Sequence, residues 1–103
     1  MKLIEKISSM IEDELDGARC YAMTAVEYKE THPEMARILY NMSLAEMQHA
    51  TDLHNIVVGL IDDYRNEHGE PPAGMEALYE YLHKRHIEDA ADVKRVQSMY
   101  SGR

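Results

Sequence analysis

At 103 residues with a formal net charge of −8, the chain has the size of one domain and the wrong sign for nucleic acid or an anionic membrane, both of which would repel it. Apolar residues make up 45% of it, yet Phe and Trp are absent, so Leu, Ile, Val, Met and Tyr must build the core. The single cysteine, Cys20, excludes an internal disulfide or a four-thiolate iron or zinc centre within one chain, and a reducing cytoplasm is the simplest location.

The opening MKLIEKISSM puts Glu5 and Lys6 inside what would be the apolar region of a signal peptide. The longest strongly apolar run, IVVGLI, is far too short to span a bilayer, so no membrane association is expected. Helical periodicity is broken only by THP at residues 31–33 and by GEPPAG at 69–74. Both place Pro at the start of the next helix, where a missing N–H costs nothing. The spacing therefore predicts an all-α chain, one domain over 1–103, with helices over about 2–30, 33–68 and 74–100. Sustained alternation of apolar and polar residues, the signature of a strand, is absent.

On the first helix, steps of three and four from Ile4 reach Ile7, Ile11, Glu14, Ala18, Tyr21, Ala25 and Tyr28, an apolar seam with one carboxylate in its middle. On the second helix the same steps give Met35, Leu39, Met42, Glu46, His49, Leu53, Ile56 and Leu60. The short loop forces the two helices antiparallel, so residues equidistant from the turn lie at one height. With the turn centred near His32, Glu14 lies eighteen residues before it and His49 seventeen after, with Glu46 less than one turn away. Two carboxylates and an imidazole thus converge on one level. Buried charges are costly unless paired or bound to metal, and a divalent cation relieves both the burial and the mutual repulsion of the carboxylates.

By itself a Glu-x-x-His pair carries little information: twelve Glu and six His in the chain give roughly 0.7 such pairs by chance. A second pair, Glu80 and His83, stands on the third helix, beside His86 and Glu88 and next to an apolar face of Met75, Tyr79, Leu82, Val93, Val96 and Tyr100. Placement in the seam at the height of Glu14 is what distinguishes Glu46 and His49. The alternative to a metal site is a metal-free helical oligomerisation module that keeps a buried polar layer for pairing specificity. Of the smaller features, Gly17 one turn after Glu14 points to close helix approach or room for a ligand, and Asp52 one turn after His49 is placed to orient its ring or to be solvated.

Residues 11–57, IEDELDGARCYAMTAVEYKETHPEMARILYNMSLAEMQHATDLHNIV, resemble the first helical hairpin of the ferritin-like superfamily, most closely that of rubrerythrins. The likeness rests on Glu14 followed seven residues later by Tyr21, and on Glu46 and His49 some thirty residues on. It implies a non-haem di-iron centre with Glu14, Glu46 and His49 as metal ligands, with Mn or Zn as possible substitutes for iron. Tyr21 is the candidate catalytic residue, placed either to hydrogen-bond a metal-binding carboxylate across the bundle or simply to pack in the core. The implied chemistry is oxidation of Fe(II) by O2 or peroxide, as a ferroxidase or rubrerythrin-like peroxidase.

This chain has one hairpin and a single further helix where a full ferritin-like bundle has two hairpins, so it supplies half a site, and one cysteine cannot build a rubredoxin-like domain. The encapsulated ferritins resemble this plan, completing a four-helix bundle by pairing two hairpins. A homodimer or higher even oligomer is therefore expected, its two copies bringing four carboxylates and two imidazoles to the site. An encapsulin shell is a possible partner by this resemblance, although no clear targeting tail follows Tyr100.

Overall fold

The structure, a computed structural model, describes residues 2–102. It consists of α1 (Lys2–Tyr28), α2 (Pro33–His68) and α3 (Ala73–Ser101), with no strand among the described residues. No described helix is long and apolar enough to cross a membrane. Helix α1 stops two residues short of its expected end, at a turn closed by the His32 N–H donating to the Tyr28 carbonyl at 2.8 Å. His32 precedes a proline, which disfavours the helical region for it, and Pro33 then opens α2. Gly69 ends α2 at a φ of 78°, a left-handed conformation that glycine adopts without a Cβ clash.

The 36 residues of α2, at about 1.5 Å each, account for the 55 Å long axis of the molecule. Helix α1 lies between the other two and packs against both, while α3 rests mainly on α1. Two neighbours widen the buried stripe of α1 and rotate it: Ile4, Ser8, Ile11, Leu15, Ala18, Ala22 and Ala25 are buried. The expected seam shares Ile4, Ile11, Ala18 and Ala25 with this stripe. Ile7, Glu14 and Tyr21 are only half-buried, and Tyr28 is exposed. Ser8, Leu15 and Ala22, one residue on, occupy the core instead, because they point between α2 and α3.

Helix α2 differs from expectation in the same way. Its buried residues are Ala36, Ser43 and Ala50, one heptad apart. Against the alanines of α1 these small side chains let the two helix axes approach closely. The residues immediately before them, Met35, Met42 and His49, lie on an exposed line that continues to Ile56. Leu39, Leu53 and Leu60 of the expected seam are half-buried.

A buried polar chain ties the three helices together. The Ser43 hydroxyl donates to the Ala18 carbonyl at 2.7 Å, and the Gln97 amide donates to the Ser43 oxygen at 2.9 Å. Both side chains are thereby satisfied in the core, as buried polar groups must be. The α3 face meets expectation, with Val93 and Val96 buried and Met75, Tyr79, Leu82 and Tyr100 half-buried. Tyr100 stacks on Tyr40 with ring centroids 4.4 Å apart, and Lys29 donates to the Tyr100 carbonyl at 2.7 Å, fastening the end of α3 beside the hairpin turn. Arg19 on α1 pairs with Asp92 on α3 at 2.8 Å.

His86 is buried on α3, and burial holds its imidazole below the ordinary range. Glu12, facing it from α1, and Asp89 on α3 oppose this shift, while His83 adds to it. Burial and His83 also lower His54 on α2. A base with a depressed folded pKa contributes stability that is present above its unfolded value, about 6.5, and is lost as pH falls below it. The metal-free protein is expected to lose thermal stability between pH 7 and pH 5, and His86→Gln to flatten that slope. Melting curves across this range check it; an unchanged slope in the variant would assign the acid sensitivity elsewhere.

Candidate metal centre

Glu14 lies near the middle of α1, and Glu46 and His49 share a face of α2 three residues apart. The antiparallel hairpin brings them together, and one ligand atom from each lies within 4.8 Å of the other two. Among the described residues this is the one group of three or more acidic, His or Cys side chains that converges so tightly. His49 Nδ1 stands 3.4 Å from Glu14 Oε2 and 3.9 Å from Glu46 Oε1.

The group sits at the edge of the hairpin and not in its core. The side chains of Glu14 and Glu46 each retain 26% of their accessible surface and that of His49 retains 55%. This corrects the expectation that all three lie in the packed seam; the one-residue rotation of both helices moves them to its rim. Even so, Glu14 Oε2 is buried and has no hydrogen-bond partner. A carboxylate oxygen stripped of water and of donors is destabilised until something positive reaches it. Glu46 is affected by its neighbour: a hydrogen bond with Glu14, burial and the Glu14 charge raise its pKa above the usual carboxylate range, and His49 opposes them. Two carboxylates competing for one proton, with an imidazole beside them, form an oxygen- and nitrogen-donor set suited to a divalent first-row metal.

The Glu46 carboxylate lies against α1 at Gly17. A Cβ there would lie 3.4 Å from Glu46 Oε2 and 3.9 Å from Glu46 Cδ, ordinary van der Waals contact, so an alanine fits beside the carboxylate without displacing it. Gly17→Ala is expected to raise helix stability by up to about 1 kcal/mol in the metal-free protein. It should leave divalent-metal affinity unchanged, because the carboxylate need not move. Thermal melts and metal titration of the same variant read both effects; a marked loss of affinity would mean that Glu46 must come closer to α1 on binding metal than it lies here.

Other residues singled out in the sequence lie apart. Asp52 accepts a hydrogen bond from Gln48 at 3.0 Å, an alternative to orienting His49. Tyr21 is half-buried two turns along α1 from Glu14 and makes no hydrogen bond among the described residues. Glu80 and Glu88 are exposed on α3, and His83 stacks on His54 of α2. His54 is a residue that helical periodicity does not single out; it lies five residues after His49, on a different face of α2. Compared with protein-family models, curated proteins and solved structures, the chain finds no match in any of the three.

Proposed function

We propose that this chain is a ferritin-like protein that pairs with a second copy to complete a four-helix bundle, holds a di-iron centre between the copies, and oxidises Fe(II) with O2 or peroxide. The observation that carries the reading is the position of the three ligands: they sit at the edge of the hairpin, with His49 on an exposed line of large apolar residues, and one chain supplies only half of a di-metal set. Met35 and Met42 are each 40% exposed and Ile56 48%, and with His49 they repeat every seven residues along one side of α2. On α1, Met10, one turn before Glu14, is 41% exposed. A line of large apolar side chains along α2, with Met10 beside it on α1, is the pattern of a surface that a partner covers.

A two-fold axis repeats the same patch on both copies, so a pair brings together two each of Glu14, Glu46 and His49, the four carboxylates and two imidazoles that such centres use. In this reading Glu14, Glu46 and His49 of both copies would hold the iron, which would supply the electrons that reduce the oxidant. The protein's part is to place the ligands, to exclude water with the methionines around them, and through the Tyr21 hydroxyl to hydrogen-bond a metal-binding carboxylate across the bundle.

The test is to load the metal-free protein with Fe(II) anaerobically, admit O2 and follow the loss of Fe(II) colorimetrically. Wild type is expected to oxidise iron at least about tenfold faster than buffer, because two ions held side by side need not diffuse together. Glu14→Ala should slow it. A wild-type rate equal to buffer and to Glu14→Ala, with iron loading confirmed, would sink the oxidase reading and leave a helical pairing module with a polar layer.

A further inference from the structure

A second group of imidazoles lies where α3 passes α2, away from Glu14, Glu46 and His49. The rings of His54 and His83 stack across the gap, with centroids 4.9 Å apart and planes 18° from parallel. His86 follows His83 by three residues and so shares its face of α3. All three imidazoles line both of the adjoining clefts that run beside the α2–α3 gap.

This is an uneconomical way to pack two helices. His86 is 8% exposed, and its Nε2 is buried without a hydrogen-bond partner; Glu12 Oε1, at 3.7 Å, is too distant for one. A buried nitrogen left unpaired costs more than an apolar side chain of the same shape would. Apolar residues such as Ile11, Val57 and Ile87 form much of the cleft walls, and although Asp62, Glu76 and Glu80 line the first cleft, none of them hydrogen-bonds His86 Nε2. What the three side chains have in common is a nitrogen lone pair when neutral.

We propose that His54, His83 and His86 form a second metal site that takes a borderline divalent cation, Zn2+ or Cu2+, and clamps α3 to α2. Three imidazoles, with the Glu12 carboxylate 3.7 Å from His86 Nε2, make a nitrogen-rich set that favours these ions, whereas the set of two carboxylates and one imidazole at the hairpin edge suits Fe2+ or Mn2+. The imidazoles are available for it at neutral pH, since burial lowers the pKa of both His54 and His86 and neutral imidazole is the ligating form. The three ligand nitrogens do not lie within 4.8 Å of one another in the stacked arrangement. Binding therefore breaks the stack: His83, which is exposed, rotates to another staggered rotamer and turns its nitrogen toward the buried edge of His86. The ion gives that unpaired nitrogen its partner and links α2 to α3 where they otherwise touch little.

The experiment uses the full chain carrying Glu46→Ala and His49→Ala, so that the hairpin-edge group cannot bind, and titrates it with Co2+ as a spectroscopic substitute for Zn2+ at pH 7.5. The expected result is one Co2+ per chain with the intense visible absorption of a four-coordinate site, displaced by Zn2+. His83→Asn, at an exposed position where folding is not at stake, and His54→Asn should each weaken binding at least tenfold. Zn2+ should also slow amide hydrogen exchange in α3. Absence of Co2+ binding overturns the proposal. Binding that survives His54→Asn does so too, because the ion would then sit on α3 alone and clamp nothing.

Discussion

Glu46→Ala is expected to reduce metal occupancy from one ion per chain to near zero, while Glu80→Ala leaves it unchanged. The two residues each begin a Glu-x-x-His sequence, so by sequence alone they are equals. Their surroundings separate them. Glu46 is half-buried, presses against Glu14 and has a raised pKa as a result; Glu80 is exposed on α3. In the proposed pair Glu46 of each copy would be a direct metal ligand, so its loss should exceed the 10- to 100-fold weakening typical of an outer-shell partner, that is, more than about 100-fold. Stability should move the other way. In the metal-free protein the Glu14 and Glu46 carboxylates oppose each other, and removing one relieves that repulsion, so metal-free Glu46→Ala should melt no lower than metal-free wild type. Metal per chain after anaerobic Fe(II) loading, with melting curves of the stripped proteins, reads both effects. Equal loss of metal in Glu46→Ala and Glu80→Ala would move the centre to α3.

The number of helices and the height of each residue along them depend on quantities that local sequence encodes. Pro33 and the Pro71–Pro72 pair mark helix starts, and a fixed rise per residue turns sequence distance from the hairpin turn into height. That is why Glu14, Glu46 and His49 converge as their numbering implies. Rotation about each helix axis is a different matter. A three-four repeat identifies an apolar stripe but not its centre, and the larger apolar residues Met35, Met42 and Ile56 outweigh the small ones beside them. The structure buries Ala36, Ser43 and Ala50 because close approach of α1 and α2 rewards small side chains, and because α3 on the far side of α1 turns its core face. His54 shows the same limit. Its pairing with His83 depends on how α3 docks, which no pattern within either helix contains.

The displaced methionines carry the second large effect. Met42→Glu is expected to convert an even oligomer into a monomer that keeps Glu14, Glu46 and His49 in place yet no longer retains the one metal per chain of the pair. Met42 is 40% exposed in the single chain and lies one turn from Glu46, so a charge there costs the isolated hairpin little. In the two-fold pair the same substitution places two carboxylates, one from each copy, at the apolar contact beside the metals, where neither has a partner and each repels the ligand set. Loss of assembly and loss of metal should therefore appear together, with helical content unchanged. Light scattering and metal analysis on one sample, with circular dichroism as the control for folding, make the comparison. A Met42→Glu protein that stays dimeric would place the contact elsewhere on the surface. A monomer that still binds two metals per chain would show the centre to be complete within one chain, and α3, with Glu80 and His83, would then be where to look for its remaining ligands.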